Sequence, residues 1–97
     1  MQSQMTYIAT VTVADQLGLH ARPAAQIAKL IKSAIESNAN LVVTLSNQAG
    51  RQAQGKSALL LMALGVKSGD SVEVQIDGAS DEEADALVAE MRSFLNE

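Results

Sequence analysis

The chain has 97 residues, is 47% hydrophobic, carries a net charge of −4 and lacks cysteine. That length supports one domain, residues 1–97, burying roughly 60–65% of its unfolded surface. Disulfides and thiolate metal sites are excluded, a reducing cytoplasm fits, and the acidic balance without a basic stripe argues against nucleic acid and anionic membranes. No signal peptide is expected, and the longest apolar run, residues 58–64, is too short to span a bilayer.

Tyr7, Ala9, Val11 and Val13 alternate with Thr10 and Thr12, the period of a half-buried strand over residues 7–13. Residues 15–18 form a polar loop ending in glycine. The spacing of Ala24, Ile27, Ala28, Ile31 and Ile35 predicts a helix over about residues 21–36, with Gln26, Lys29 and Ser33 on its other side. Pro23 fits the first turn, where amides have no helical partner. His20 therefore falls near the N-cap.

Leu41, Val43 and Leu45 predict a second strand, residues 47–50 a turn, and residues 51–54 a short polar return strand. Residues 57–64 predict a short helix, with Ser57 as N-cap and Gly65 closing it. Val72, Val74 and Ile76 predict a fourth strand. Ser80 and Glu83 have capping-box spacing and open a last helix with apolar Ala84, Leu87, Val88, Met91, Phe94 and Leu95. The order is βαββαβα, an α+β fold. The clean alternation of its strands predicts a sheet with helices on one face and water on the other.

Three features could carry chemistry. In Gly18-Leu19-His20-Ala21-Arg22-Pro23-Ala24 stand the only histidine and the only proline. A neutral imidazole is a competent nucleophile, and the positive end of a helix favours the uncharged ring. Arg22 and first-turn amides could then hold a phosphoryl group. A histidine that merely caps the helix fits the heptapeptide equally. One histidine with no carboxylate cluster builds no metal site.

The second feature, residues 50–57, matches the P-loop pattern G-x-x-x-x-G-K-[ST]. Geometry opposes a nucleotide site. The turn at 47–50 interrupts the strand-to-loop passage, the next helix is short, and too few elements remain for a parallel sheet. The third is the run Ala58-Leu59-Leu60-Leu61-Met62-Ala63-Leu64. Leu60, Leu61 and Leu64 fall on one side of a helix, and Leu59, Met62 and Ala63 toward another. It is either a docking surface or a core helix covered on both sides.

Together these features resemble the HPr family, the histidine-containing phosphocarriers of the bacterial phosphoenolpyruvate-dependent sugar phosphotransferase system. Residues 18–25 resemble the family's active-site motif. Lys56-Ser57 with Leu59, Met62, Leu64 and Gly65 resembles its regulatory-serine segment. The likeness runs from about residue 6 to residue 95, and the βαββαβα order agrees with the family's open-faced sandwich: a four-stranded antiparallel sheet with three helices on one face.

The resemblance implies that His20 accepts a phosphoryl group at Nδ1 from phosphorylated enzyme I, that Arg22 steadies it, and that it passes to the A domain of a sugar-specific enzyme II. It implies docking of both partners around Ala58, Leu59 and Met62, and modification of Ser57 by a dedicated kinase/phosphorylase. The protein would be a cytoplasmic monomeric carrier, not an enzyme, with no cofactor. A regulatory relative of a nitrogen-branch or dihydroxyacetone phosphorelay would use the same His20 chemistry. Residues 34–40 make a longer link than the family's usual one, Gly55 stands where other small or polar residues are common, and Leu60 and Leu61 make the second helix more apolar.

Overall fold

The computed structural model describes residues 6–97. The start of the predicted domain and the N-terminus of the signal-peptide reading, residues 1–5, lie outside the described residues. The elements in order are β1 (Tyr7–Thr12), α1 (Ala21–Ser37), β2 (Val42–Ser46), β3 (Gln52–Gln54), α2 (Ala58–Ala63), β4 (Ser71–Asp77) and α3 (Asp81–Phe94). The strands make one sheet in the order β1-β4-β2-β3, with every neighbouring pair antiparallel. β4 is central: Val74 stands opposite Ala9 on one side and Leu45 on the other.

The two-residue period sorts the sheet as the alternation requires. Val11, Val43, Leu45, Ala53, Val72, Val74 and Ile76 are buried. Ile8, Thr10, Val42, Gln52, Gln54 and Glu73 face out and are exposed. Onto the inner face α1 sets Pro23, Ala24, Ile27, Ala28 and Ile31, α3 sets Ala84, Leu87, Val88 and Met91, and α2 sets Leu61. Among the described residues no polar or charged side chain is buried. This is the expected α+β open-faced sandwich, and its driving force is aliphatic burial at roughly 25 cal/mol per Å².

Element ends differ from the sequence reading where hydrogen bonds outside the chain's local pattern decide them. Val13 keeps the alternation and is fully buried, yet it lies beyond β1. Its N–H donates to Asp70 O at 2.8 Å, and its carbonyl accepts from Gly69 N–H at 2.7 Å. α1 runs to Ser37 because the Asn38 N–H still donates to Ala34 O and Ile35 O. Asn38 Nδ2 then bonds Gly78 O and Glu83 Oε1, tying the 38–41 link to the start of α3. The capping box is therefore half of one: Ser80 Oγ accepts from Glu83 N–H at 3.1 Å, while the Glu83 carboxylate serves Asn38.

The P-loop spelling has no P-loop backbone. The middle of residues 50–57 is β3, paired with β2 from Thr44↔Gln54 to Ser46↔Gln52. Gly55 N–H donates to Val43 O and Ser57 N–H to Gln54 O. A phosphate cradle needs consecutive amides open to the ligand; here they are spent on the sheet and turn.

Candidate functional site

The connection from β1 to α1 is fastened at several points to segments remote in sequence. Ala14 N–H and Asp15 N–H both donate to Leu95 O at 3.0 Å, and Leu19 N–H donates to Val66 O at 3.0 Å. Gly18 N–H turns back to Asp15 O at 2.9 Å. Gly18 has φ +73°, and a Cβ there would stand 2.5 Å from Val66 O. Only glycine lets the loop lie this close to the strand-entry segment after α2. With Leu19 buried behind it, the chain delivers His20 to the first position before α1.

His20 is the N-cap residue, with extended backbone and no side-chain bond to the helix. The ring itself accepts from no amide of α1. Its side chain is 29% exposed, and Nε2 lies 3.3 Å from Asp15 Oδ1. Asp15 Oδ1 also accepts from Leu17 N–H at 2.9 Å, and Oδ2 accepts from Asn96 Nδ2 at 3.0 Å. The Leu17 amide above all holds the Asp15 carboxyl below its ordinary value. Partial desolvation opposes this, and His20 and Asn96 reinforce it.

The first intrahelical bond is Ala24 N–H to His20 O. That leaves the Ala21 and Arg22 amides at the open end of α1, as helix geometry requires. Arg22 is exposed. It shares with His20, Asp15, Gln16, Leu17 and Asn96 a shallow cavity of about 580 Å³. An imidazole and a guanidinium thus border one open depression at the free amide end of α1, a setting suited to a transient anion.

Ser57 caps α2, its Oγ accepting from Leu60 N–H at 3.2 Å. Leu61 is fully buried and Leu64 nearly so, whereas Leu59 is 74% and Met62 37% exposed, with Ala58 half-buried. Leu60 departs from the sequence reading: it is 48% exposed and does not join Leu61 and Leu64 inside. A six-residue helix lies on the core by one narrow stripe, and Leu60 is one helical step off it. Sequence reasoning also missed Leu17, which is 74% exposed beside His20. Its place in a polar loop was the only signal available. Ala58 borders a second depression with Lys29, Lys32 and Glu36 of α1.

The end of α3 closes the loop from the other side. Glu97 Oε2 accepts from Thr12 N–H at 2.6 Å, and Oε1 pairs with Arg92 Nη1. The Thr12 amide first, then Arg92, holds the Glu97 carboxyl below its ordinary value. Asp15 and Glu97 therefore both add stability above the unfolded carboxylate range of about 3.9–4.3, and that contribution disappears as pH falls through their lower folded values. The melting temperature is expected to hold near neutrality and to drop below about pH 4. Glu97→Gln should flatten that drop, as a series of thermal melts from pH 2 to 7 would read.

The family described as "PTS HPr component phosphorylation site" matches residues 8–97. The chain belongs to the HPr family. Among its relatives is the phosphocarrier protein NPr of Proteus mirabilis (strain HI4320), 32% identical over 94 residues, which are 96% of this chain and 99% of that one. The phosphocarrier protein HPr of Mycoplasma genitalium is 36% identical over 76 residues, 78% of this chain and 81% of that one. The crystal structure of HPr-C-His from Thermoanaerobacter tengcongensis matches with a TM-score of 0.74 at 28% identity, covering 94% of this chain and 97% of that one. An HPr from Bacillus anthracis, at TM-score 0.73 and 19% identity over 92% and 95% of the two chains, adds support for the fold alone. As an HPr-family chain it is a phosphocarrier. Among the described residues no helix is long and apolar enough to cross a membrane.

Proposed function

We propose that this chain carries a phosphoryl group on His20 Nδ1, taking it from phospho-enzyme I and giving it to the A domain of a sugar-specific enzyme II. The observation that carries the reading is the N-cap placement of His20, with a ring that caps nothing and shares an open cavity with Arg22. Nδ1 attacks the phosphorus of the donor phosphohistidine. A new N–P bond forms as the donor's N–P bond breaks, and the released electron pair returns to the donor nitrogen. Arg22 and the Ala21 and Arg22 amides offset the charge of the bound group. Ala58, Leu59 and Met62 give the partners an apolar landing face. A kinase/phosphorylase acting on Ser57 would add about −1.5 to −2 charge beside that face and weaken such docking. The chain acts as a cytoplasmic monomer without a cofactor, a carrier that is turned over by its partners' enzymes.

Incubation with enzyme I and phosphoenolpyruvate is expected to give an acid-labile, base-stable phosphate, absent in His20→Ala. An acid-resistant label, or one that survives His20→Ala, would sink the reading. Clean labelling with no transfer to any sugar-specific enzyme II A domain would move the protein to a regulatory relay.

A further inference from the structure

We propose that Asp15 is a positioning residue for His20: it holds the ring's proton at Nε2 and then balances the ring's positive charge once Nδ1 is phosphorylated. This rests on the reading of His20 as phosphoryl acceptor. A neutral imidazole has one protonated and one bare nitrogen, and the partner of one nitrogen decides which is which. A carboxylate oxygen 3.3 Å from Nε2 can only accept, so the proton belongs there and the lone pair belongs to Nδ1. When the N–P bond forms at Nδ1, the Nε2 proton stays and the ring becomes a cation. Asp15 then faces that cation from the edge opposite the phosphoryl group. The division of labour is the one an aspartate has toward the histidine of a hydrolytic triad.

Asp15 is held in place for this. Its Oδ1 takes the Leu17 amide, its Oδ2 takes Asn96 Nδ2, and its own N–H is bonded to Leu95 O. Asn96 has φ +61°, the one positive φ outside glycine among the described residues. Two segments 81 residues apart thus meet on one carboxylate. The other charged group lining the cavity is Arg22. Arg92 and Glu97, at the end of α3, are engaged with each other.

The ring protonated at Nε2 is the better leaving group, and a carboxylate beside Nε2 is placed to hold that proton. Long-range ¹H–¹⁵N NMR of the unphosphorylated protein is expected to show the Nε2–H tautomer, and Asp15→Ala a mixture of the two. In the phosphorylated protein, Asp15→Asn is expected to slow transfer to the A domain severalfold, because the charge facing Nε2 is removed while the shape is kept. The near-isosteric Asn variant guards against loss of the loop, and its amide spectrum checks this. An Nδ1–H tautomer in the parent, or equal transfer rates in the parent and Asp15→Asn, would overturn the proposal. If the parent takes no label at His20, the carrier reading fails, while the tautomer of the unlabelled ring still decides the role of Asp15.

Discussion

Gly18→Ala is expected to lower the unfolding midpoint by about 15 °C, the equivalent of about 3 kcal/mol in a domain of this size. Two costs combine. A left-handed φ of +73° disfavours any Cβ, and that Cβ would also stand 2.5 Å from Val66 O. The second cost cannot relax cheaply, because Val66 O is the acceptor for Leu19 N–H. Gly65 is the internal control: its φ is +67°, but a Cβ there meets nothing within 4 Å. Gly65→Ala should lose only about 1 kcal/mol. Thermal unfolding followed by circular dichroism reads both, and equal losses at the two positions would refute the close-approach argument. Gly18→Ala should also depress phosphoryl acceptance at temperatures where the variant is still folded, since the residues it displaces set the height of His20.

Leu61→Ala should cost about 3–4 kcal/mol, a large part of the 5–15 kcal/mol that holds a typical domain together. Leu61 is the one buried residue within α2, so the cavity it leaves also frees the helix. Leu59, two residues earlier, is 74% exposed. Leu59→Ala should change stability by less than about 0.5 kcal/mol. If α2 is the landing face, Leu59→Ala should nevertheless weaken binding to enzyme I by about 1–2 kcal/mol. Urea unfolding and calorimetric titration separate the two effects. A Leu59→Ala variant that is as unstable as Leu61→Ala, or that binds enzyme I as the parent does, would remove Leu59 from the docking surface.

Much of this architecture was legible because the strands are amphipathic in the simplest way. Val11, Val43, Leu45, Val72, Val74 and Ile76 declare the inner face by a two-residue period, and burial follows them without exception. The α1 stripe is equally plain, apart from Ile35, which is only half-buried where the helix leaves the sheet. Legibility failed where a short element offers several apolar residues to one narrow contact. Nothing in Leu59-Leu60-Leu61-Met62 says which leucine goes in; the rotation of α2 is set by β3 and α1, not by its own composition. It failed again where a side chain serves a remote segment. His20 and Arg22 are neighbours in sequence, so the core of the candidate site was readable. Asp15 looked like loop filler, and Asn96 was not singled out. Their meeting depends on the end of α3 folding back against the start of the β1–α1 connection. The P-loop match shows the converse: a perfect local spelling was voided by the ladder between β2 and β3.

The fastenings of the β1–α1 connection bear on the order of events as the chain emerges from the ribosome. Val13 waits for Gly69 and Asp70, Leu19 for Val66, and Ala14 and Asp15 for Leu95. β1 itself has no partner until β4 is made. Synthesis at about 5–20 residues per second leaves that stretch unanchored for several seconds. A nascent or truncated chain therefore displays His20 without its surroundings. The surroundings of His20 become ordered only after residue 95 has been made.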